Sequence, residues 1–246
     1  MIIALFADIH GNREALDACL AHARARKAER YIFLGDMIGY GADPAYIIDT
    51  VAKYQSEGAV VIRGNHDAAI EDGTEHMNDY AKAAIEWTAD QLDSTQKEWL
   101  KDLAMSHEDD NILYVHSEAS HPKSWIYVRS PGEAERSMRA TDKYVTFCGH
   151  VHRPQLYHMA PQKPPLCFIP SANLGIPLSK NHKWLAVLGA VGQPRDEIPL
   201  AAYALYDDVK NVLTFQRVPY DIESAANKIK AAGLPGILSA RLYIGR

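Results

Sequence analysis

Seven side chains able to bind a metal through oxygen or nitrogen stand directly behind apolar runs in this chain: Asp8, His10, Asp36, Asn65, His116, His150 and His152. Asp8 and His10 are two residues apart, a spacing that puts both on one side of an extended strand, and His150 and His152 repeat it. A loop conformation at the second pair would instead send its two rings to different ions. Seven donors exceed what one tetrahedral zinc takes and suit two adjacent divalent ions with positions left for water. No cysteine is among them, so Mn, Fe, Zn or Ni fits better than a thiolate site. The pattern centres on Tyr31-Ile32-Phe33-Leu34-Gly35-Asp36, an apolar run that stops at a carboxylate. Asp36 is therefore expected at a strand end, where α/β sheets carry their chemistry, as a carboxylate shared by both ions.

The elements that must position these groups follow from periodicity. Met1 to Ala7 reads as a first core strand rather than a signal peptide, since no basic residues precede it and Asp8 ends it early. Helical spacing follows from Asn12, with Ala15, Leu16, Cys19, Leu20 and Ala23 on one face and Asn12 as N-cap. That cap would set free N–H groups beside Asp8 and His10, and Asn12 itself is a candidate donor to a bound anion. After the Asp36 strand, Asp43-Pro44 opens a second helix with Asp43 as cap, and Ala59 to Ile62 forms a third strand ahead of Asn65. Strand, helix, strand, helix, strand implies parallel pairing. A helical insertion is expected over about 70–108, with helices at Asn78 to Leu92 and Thr95 to Leu103, the second capped by Ser94, and no strand. Strands Ile112 to Val115 and Lys143 to Cys148 deliver His116 and the His150 pair. Between them Ser130-Pro131-Gly132-Glu133 has capping-box spacing and starts a helix to about Arg139. Short strands at 155–158, 166–169, 184–188, 201–206 and 212–218 suit a second, mostly antiparallel sheet, and a last helix, Ile222 to Ala232, is closed by Gly233.

At 246 residues and 47% apolar composition the chain buries a sizeable core and reads as a single domain, 1–246. A net charge of −5 without a basic block argues against nucleic acid as an obligatory partner. No run is long enough to cross a membrane, and three scattered cysteines indicate neither disulfides nor a zinc knuckle, so a cytoplasmic location is expected. Cys148 reads as core filling, and His121 and the histidines without companions as solvated.

The ordered motifs resemble the calcineurin-like metallophosphoesterase family: D-x-H at Asp8 and His10, G-D at Gly35 and Asp36, G-N-H-D at Gly64 to Asp67, His116 alone behind a strand, and G-H-x-H at Gly149 to His152. The resemblance implies a four-layer αββα sandwich of two mixed sheets flanked by helices. It implies that Asp8, His10, Asp36 and His152 hold one ion and Asp36, Asn65, His116 and His150 the other, with His66 as a catalytic group that binds no metal. Two dications of this kind clamp a phosphate and bring the pKa of a water between them from 15.7 toward about 7, so that hydroxide attacks phosphorus. His66 then donates to the leaving oxygen or holds a phosphoryl oxygen. In the protein Ser/Thr phosphatases of this family the loop after the shared Asp reads G-D-x-V-D-R-G, and its second Asp and its Arg assist the catalytic His and bind phosphate. Gly39 and Tyr40 replace both here, which argues against a phosphoprotein substrate. Gly35 to Gly41, with Val191-Gly192-Gln193-Pro194-Arg195-Asp196, resembles instead a small prokaryotic branch that includes phosphodiesterases and dinucleoside polyphosphate hydrolases. The implied partner is a small phosphorylated or nucleotide substrate. Ser117, where Gly is usual, and Leu188-Gly189-Ala190, where Pro-Gly-Ser is common, depart from that branch. A non-catalytic metal-binding scaffold like the family's retromer subunit is the alternative, but that subunit lacks the histidine that stands here as His66.

Overall fold

Strand β1 (Ile2–Phe6) is apolar without alternation because both of its faces are covered, Ile3 and Leu5 by one core layer and Ala4 and Phe6 by another. In the computed structural model, which describes residues 1–246, it lies inside a six-stranded sheet. On one side it pairs in parallel with β2 (Arg30–Phe33), which pairs in parallel with β3 (Val60–Val61). On the other, β11 (Ala201–Asp207), β12 (Val212–Val218) and β9 (Gly175–Pro177) follow, each antiparallel to its neighbour. The second sheet runs β4 (Ser106–Glu108), β5 (Ile112–Val115), β6 (Val145–Cys148), β10 (Lys183–Val187), β7 (Gln155–Met159) and β8 (Leu166–Phe168). Within it β5, β6 and β10 are parallel and the other pairs antiparallel.

Between the sheets Ile3, Leu5 and Ile32 meet Tyr114, Phe147 and Leu156 in a continuous apolar core. Helices α1 (Arg13–Ala25) and α2 (Pro44–Ser56) cover the outer face of the first sheet through Leu16, Leu20, Ile47 and Val51. Helix α6 (Pro131–Arg139) covers the second through Ala134 and Met138, packed with Val115, Leu185 and Val187. Each large side chain wholly buried in these layers contributes roughly 1.5–3 kcal/mol. The result is the four-layer αββα sandwich with two mixed sheets. Five further elements, α3 (Asn65–Asp72), α4 (Asp79–Gln91), α5 (Ser94–Lys101), α7 (Ile222–Ala231) and α8 (Gly236–Ile244), complete the chain. Of these α4, α7 and α8 share a small core of Ala84, Ala226 and Leu238 that also takes in Tyr40.

Several local expectations give way for identifiable reasons. The late strands do not gather in one antiparallel sheet: β9, β11 and β12 extend the first and β7, β8 and β10 the second. Alternation reports burial of a face, and not which sheet owns it. Gly175-Ile176-Pro177 has no strand-like composition, yet it pairs at a sheet edge, where proline is tolerated. The stretch expected to be helical contains α4 and α5 but ends in β4, a polar edge strand held by backbone pairing to β5. Helix α5 starts at Ser94, the residue expected as its cap, because Asp93 one position earlier forms a reciprocal capping box with Gln96. Asp43 precedes α2 but makes no cap bond, since its carboxylate takes Lys228 instead. Helix α8 was hidden behind Pro235, which reads equally as a stop for α7 and as a start.

Helix α3 starts at Asn65, in what reads as a loop, and Asp67 explains why. Its carboxylate accepts the amides of Gly64, Asp36 and Met37 at 2.8–2.9 Å, joining the start of α3 to the loop behind β2. Asp67→Asn turns an N–H donor toward those N–H groups, and should lower the unfolding free energy by about 1–3 kcal/mol, read from the urea midpoint.

Candidate metal centre

The candidate donors issue from the C-terminal ends of β1, β2 and β3 in one sheet and of β5 and β6 in the other. Beyond β1 and β2 the chain continues side by side, the amides of Asp8, His10 and Gly11 donating to the carbonyls of Gly35, Asp36 and Met37. These segments are not extended. Asp8, His10, Asp36, His150 and His152 all have φ between 49° and 68°, the left-handed region, so the same-side rule for residues two apart does not apply. Convergence is produced by turns, and the two histidines of Gly149 to His152 go to different places.

Donor atoms of Asp8, His10, Asp36 and His152 lie within 4.8 Å of one another, and so do those of Asp36, His116 and His150. Asn65 joins the second group, its Oδ1 3.2 Å from His116 Nε2. Asp36 belongs to both, with Oδ2 3.6 Å from His10 Nε2 and 3.4 Å from His116 Nε2. Its Oδ1 accepts the His66 amide at 2.8 Å, which fixes the carboxylate's orientation. Both oxygens of Asp8 accept the His150 amide at 3.0 Å.

Each of the four rings is oriented from outside by a backbone carbonyl. Nδ1 of His10, His116 and His152 faces the carbonyls of Ile38, Leu34 and Gln193 at 3.0, 2.7 and 2.7 Å, and Nε2 of His150 faces that of Trp125 at 2.9 Å. A carbonyl only accepts, so the ring proton must sit on each outer nitrogen and the inner nitrogen is a bare lone pair in the neutral ring. Yet the inner nitrogens of His10 and His152 are 3.0 Å apart, and those of His116 and His150 3.2 Å. Two lone pairs at that distance repel unless a proton or a cation lies between them. The donor set therefore fits divalent cations that take nitrogen and oxygen.

Electrostatics separate the two pairs. Burial keeps His10 and His152 well below the usual imidazole range and brings His150 down to about 3, so these rings are neutral. Burial pushes Asp8 up to about 7. At His116 burial is outweighed by the Asp36 carboxylate, and the ring is raised to about 9. Asp36, although buried, is held well below the carboxylate range by His116, His66 and His10.

Around the donors, the structure places each remaining candidate. His66 is buried in the first turn of α3, its ring 4.7 Å from that of His10 and 4.6 Å from that of Tyr40. Its Nδ1 has no partner and faces Gly39, where a Cβ would come within 2.5 Å. Burial brings this ring down to about 4. Asn12 is tied into the fold: Oδ1 caps α1 at Ala15 and one N–H of Nδ2 donates to the Gly192 carbonyl. His121 is exposed and Cys148 is buried, as expected.

Two residues with a part in the site received no role from the sequence. One is Asp67, whose signal was its place in G-N-H-D. The other is Arg195, whose guanidinium lies 5.6 Å over the Tyr40 ring, gripped at Nε and Nη2 by buried Gln193. It makes no ion pair, and its charge acts on Asp8, His10, His66 and His152.

Comparison with known proteins agrees with this geometry. The family described as the calcineurin-like phosphoesterase superfamily domain matches residues 1–210. An uncharacterised protein of Methanocaldococcus jannaschii is 31% identical over 258 residues, covering 100% of this chain and 98% of its own. The crystal structure of a metallophosphoesterase from Sphaerobacter thermophilus superposes with a TM-score of 0.87 at 30% identity, covering 100% and 99% of the two chains. A hypothetical protein from Pyrococcus horikoshii shares the fold, with a TM-score of 0.79 at 22% identity over 100% and 98%. No helix of the chain is long and apolar enough to cross a membrane.

Protonated Asp8 and His116 must release protons to offer lone pairs, so Mn²⁺ affinity should rise from pH 6 to pH 8, by up to about tenfold per pH unit for each proton released. Calorimetric titration at several pH values checks this. Saturation at about 100 times Kd should raise stability by about 2.7 kcal/mol, read as a higher melting temperature that EDTA reverses.

Proposed function

The chain belongs to the calcineurin-like phosphoesterase superfamily, and from that premise we propose that it hydrolyses a phosphodiester or nucleotide substrate with two divalent cations that share Asp36. The carrying observation is the two pairs of ring nitrogens turned toward one another with one Asp36 oxygen between them. In this reading Asp8, His10, Asp36 and His152 hold one ion, and Asp36, Asn65, His116 and His150 the other. When bound, the ions supply positive charge to the phosphoryl oxygens and lower the pKa of water.

The remaining work falls to the chain's own side chains. His66 stands beside the donors without joining them, and its buried neutral ring offers one N–H to the leaving oxygen. Gly39 abuts His66 Nδ1 where the Ser/Thr phosphatase loop carries an acid, so no carboxylate orients this ring. Tyr40 stands where that loop carries its arginine, and Arg195 brings a guanidinium over it from another segment. A guanidinium held by a neutral amide and lacking a carboxylate partner suits a phosphoryl oxygen, so Arg195 serves as the anion clamp. The charge sits near the place it has in that loop, carried on a different part of the chain.

The test is turnover of bis-p-nitrophenyl phosphate with Mn²⁺, and no turnover with Mn²⁺, Ni²⁺, Zn²⁺ or Fe²⁺ would favour a binding scaffold. His66→Ala should retain both ions by elemental analysis and slow hydrolysis by about 10²–10⁴-fold; a parallel fall in metal content would refute its role. Asp36→Asn should weaken both ions together, and loss of one alone would show that the carboxylate is not shared.

A further inference from the structure

Resting on the reading of this site as a phosphoester hydrolase, we propose that the hollow beside His150 is a subsite for a nucleobase carried by the substrate, with Trp125 as its stacking wall. The hollow measures about 600 Å³ and reaches Asn65 and His150, so whatever fills it adjoins the second group of donors. That volume falls in the range of small-molecule pockets. Its other walls come from Met77, Lys123 and Tyr127, with Asp72 and His76 exposed beside them.

Trp125 has φ 51°, a left-handed conformation that a bulky side chain rarely takes. Such strain is retained where a site uses it, and here one residue does two things. Its carbonyl accepts His150 Nε2 at 2.9 Å, while its indole lines the hollow. The ring is thereby registered to the donors through its own backbone. The loop that carries it is braced: Ser117 Oγ donates to the Pro122 carbonyl at 3.2 Å, the Ala119 amide to Ser137 Oγ at 3.0 Å, and the Glu118 amide to the Ile126 carbonyl at 3.1 Å. Ser117 is one of the positions at which this chain departs from its branch, so part of the bracing comes from that departure.

The rings of the hollow differ in what is already on them. Tyr127 lies flat on His150, 3.9 Å between centroids, and carries the Arg129 guanidinium 3.8 Å from its own centroid. Trp125 meets His116 only edge to face at 5.9 Å, and no ring or cation lies flat on it. A half-buried indole with a free face, a thioether from Met77, a carboxylate and a lysine together suit a flat heteroaromatic ring bearing polar edges and a phosphate. A purely aliphatic group would leave Asp72 and Lys123 unmatched, and a bare sugar phosphate would leave the indole uncovered. Another hollow, of about 690 Å³ at the opposite ends of the strands, offers no comparable match. There Arg30 pairs with Asp109 and Lys143 with Glu108.

The test compares adenosine 5′-monophosphate with ribose 5-phosphate by calorimetric titration of the Mn²⁺-loaded protein. Stacking should make the nucleotide bind about 5- to 100-fold more tightly. Trp125→Leu should abolish that preference and leave ribose 5-phosphate affinity as it was, while Trp125→Phe should keep most of it. Met77→Ala, from a different segment, should reduce the preference in the same direction, which keeps the test open if the Trp125→Leu substitution disturbs His150. Equal affinities in the parent protein, or a nucleotide preference left intact by both Trp125→Leu and Met77→Ala, would overturn the subsite. Turnover of bis-p-nitrophenyl phosphate reports separately on the hydrolase reading. Turnover without a nucleotide preference overturns the subsite alone, whereas a preference without turnover supports the subsite and removes the hydrolase reading.

Discussion

Four imidazoles turn their inner nitrogens toward one another, and the rest of the molecule is arranged to hold them there. Left to themselves, such rings would rotate, take up protons or separate. None can rotate freely, because a backbone carbonyl holds the outer nitrogen of each. Burial denies protons to His10, His150 and His152. Separation is opposed by the core between the sheets, since the first sheet supplies Asp8, His10, Asp36 and Asn65 and the second supplies His116, His150 and His152. The apolar contacts of Leu5 and Ile32 with Tyr114 and Phe147 thus hold charged groups close together at the strand ends.

That division explains why the chain needs two mixed sheets. Parallel strands present their C-terminal ends on one side, so β1, β2 and β3 can bring their loops together, and β5 and β6 can do the same. Antiparallel strands such as β11 and β12 contribute no donor; they widen the first sheet and bury its faces. Asp67 then fastens the end of β2 to the start of α3, which sets Asp36 beside Asn65 and His66.

Much of this was legible in the sequence because apolar runs ending in Asp, Asn or His are a one-dimensional pattern. The donors, the order of the early strands and the capping box at Ser130 are all read from neighbours within a few residues. The backbone of the donors was not legible. An Asp or His at φ near 55° looks like any other Asp or His, and left-handed conformation is signalled in sequence mainly by glycine. Nor was the ownership of the late strands, because nothing in the residues of β7 or β11 names the sheet to which its partners belong. Helix α3 was hidden because its cap is a carboxylate inside the helix that reaches backward, and β9 because pairing at an edge needs no apolar alternation. Arg195 belongs to a recognisable segment, but only the fold brings it over Tyr40 from 155 positions away in the chain.

The left-handed donors also bear on how binding and stability are linked. Sparsely populated backbone conformations cost of order 1–3 kcal/mol each, and five of the seven donors adopt one. Added to the repulsion between the facing lone pairs of His10 and His152, this sets a local cost at the strand ends against the packing of the sandwich. A cation bound there would relieve the repulsion directly, and it would bind only with the turns formed, so its binding energy would stabilise the strained backbone as well. Repacking the core alone cannot remove that strain, because the inter-sheet contacts bring the donors together but do not neutralise them. Stability gained at Leu5 or Phe147 would therefore raise the melting temperature with and without metal alike. Stability gained at the donors should depend on the cation, and the difference between the two states isolates the energetic cost of preparing the site.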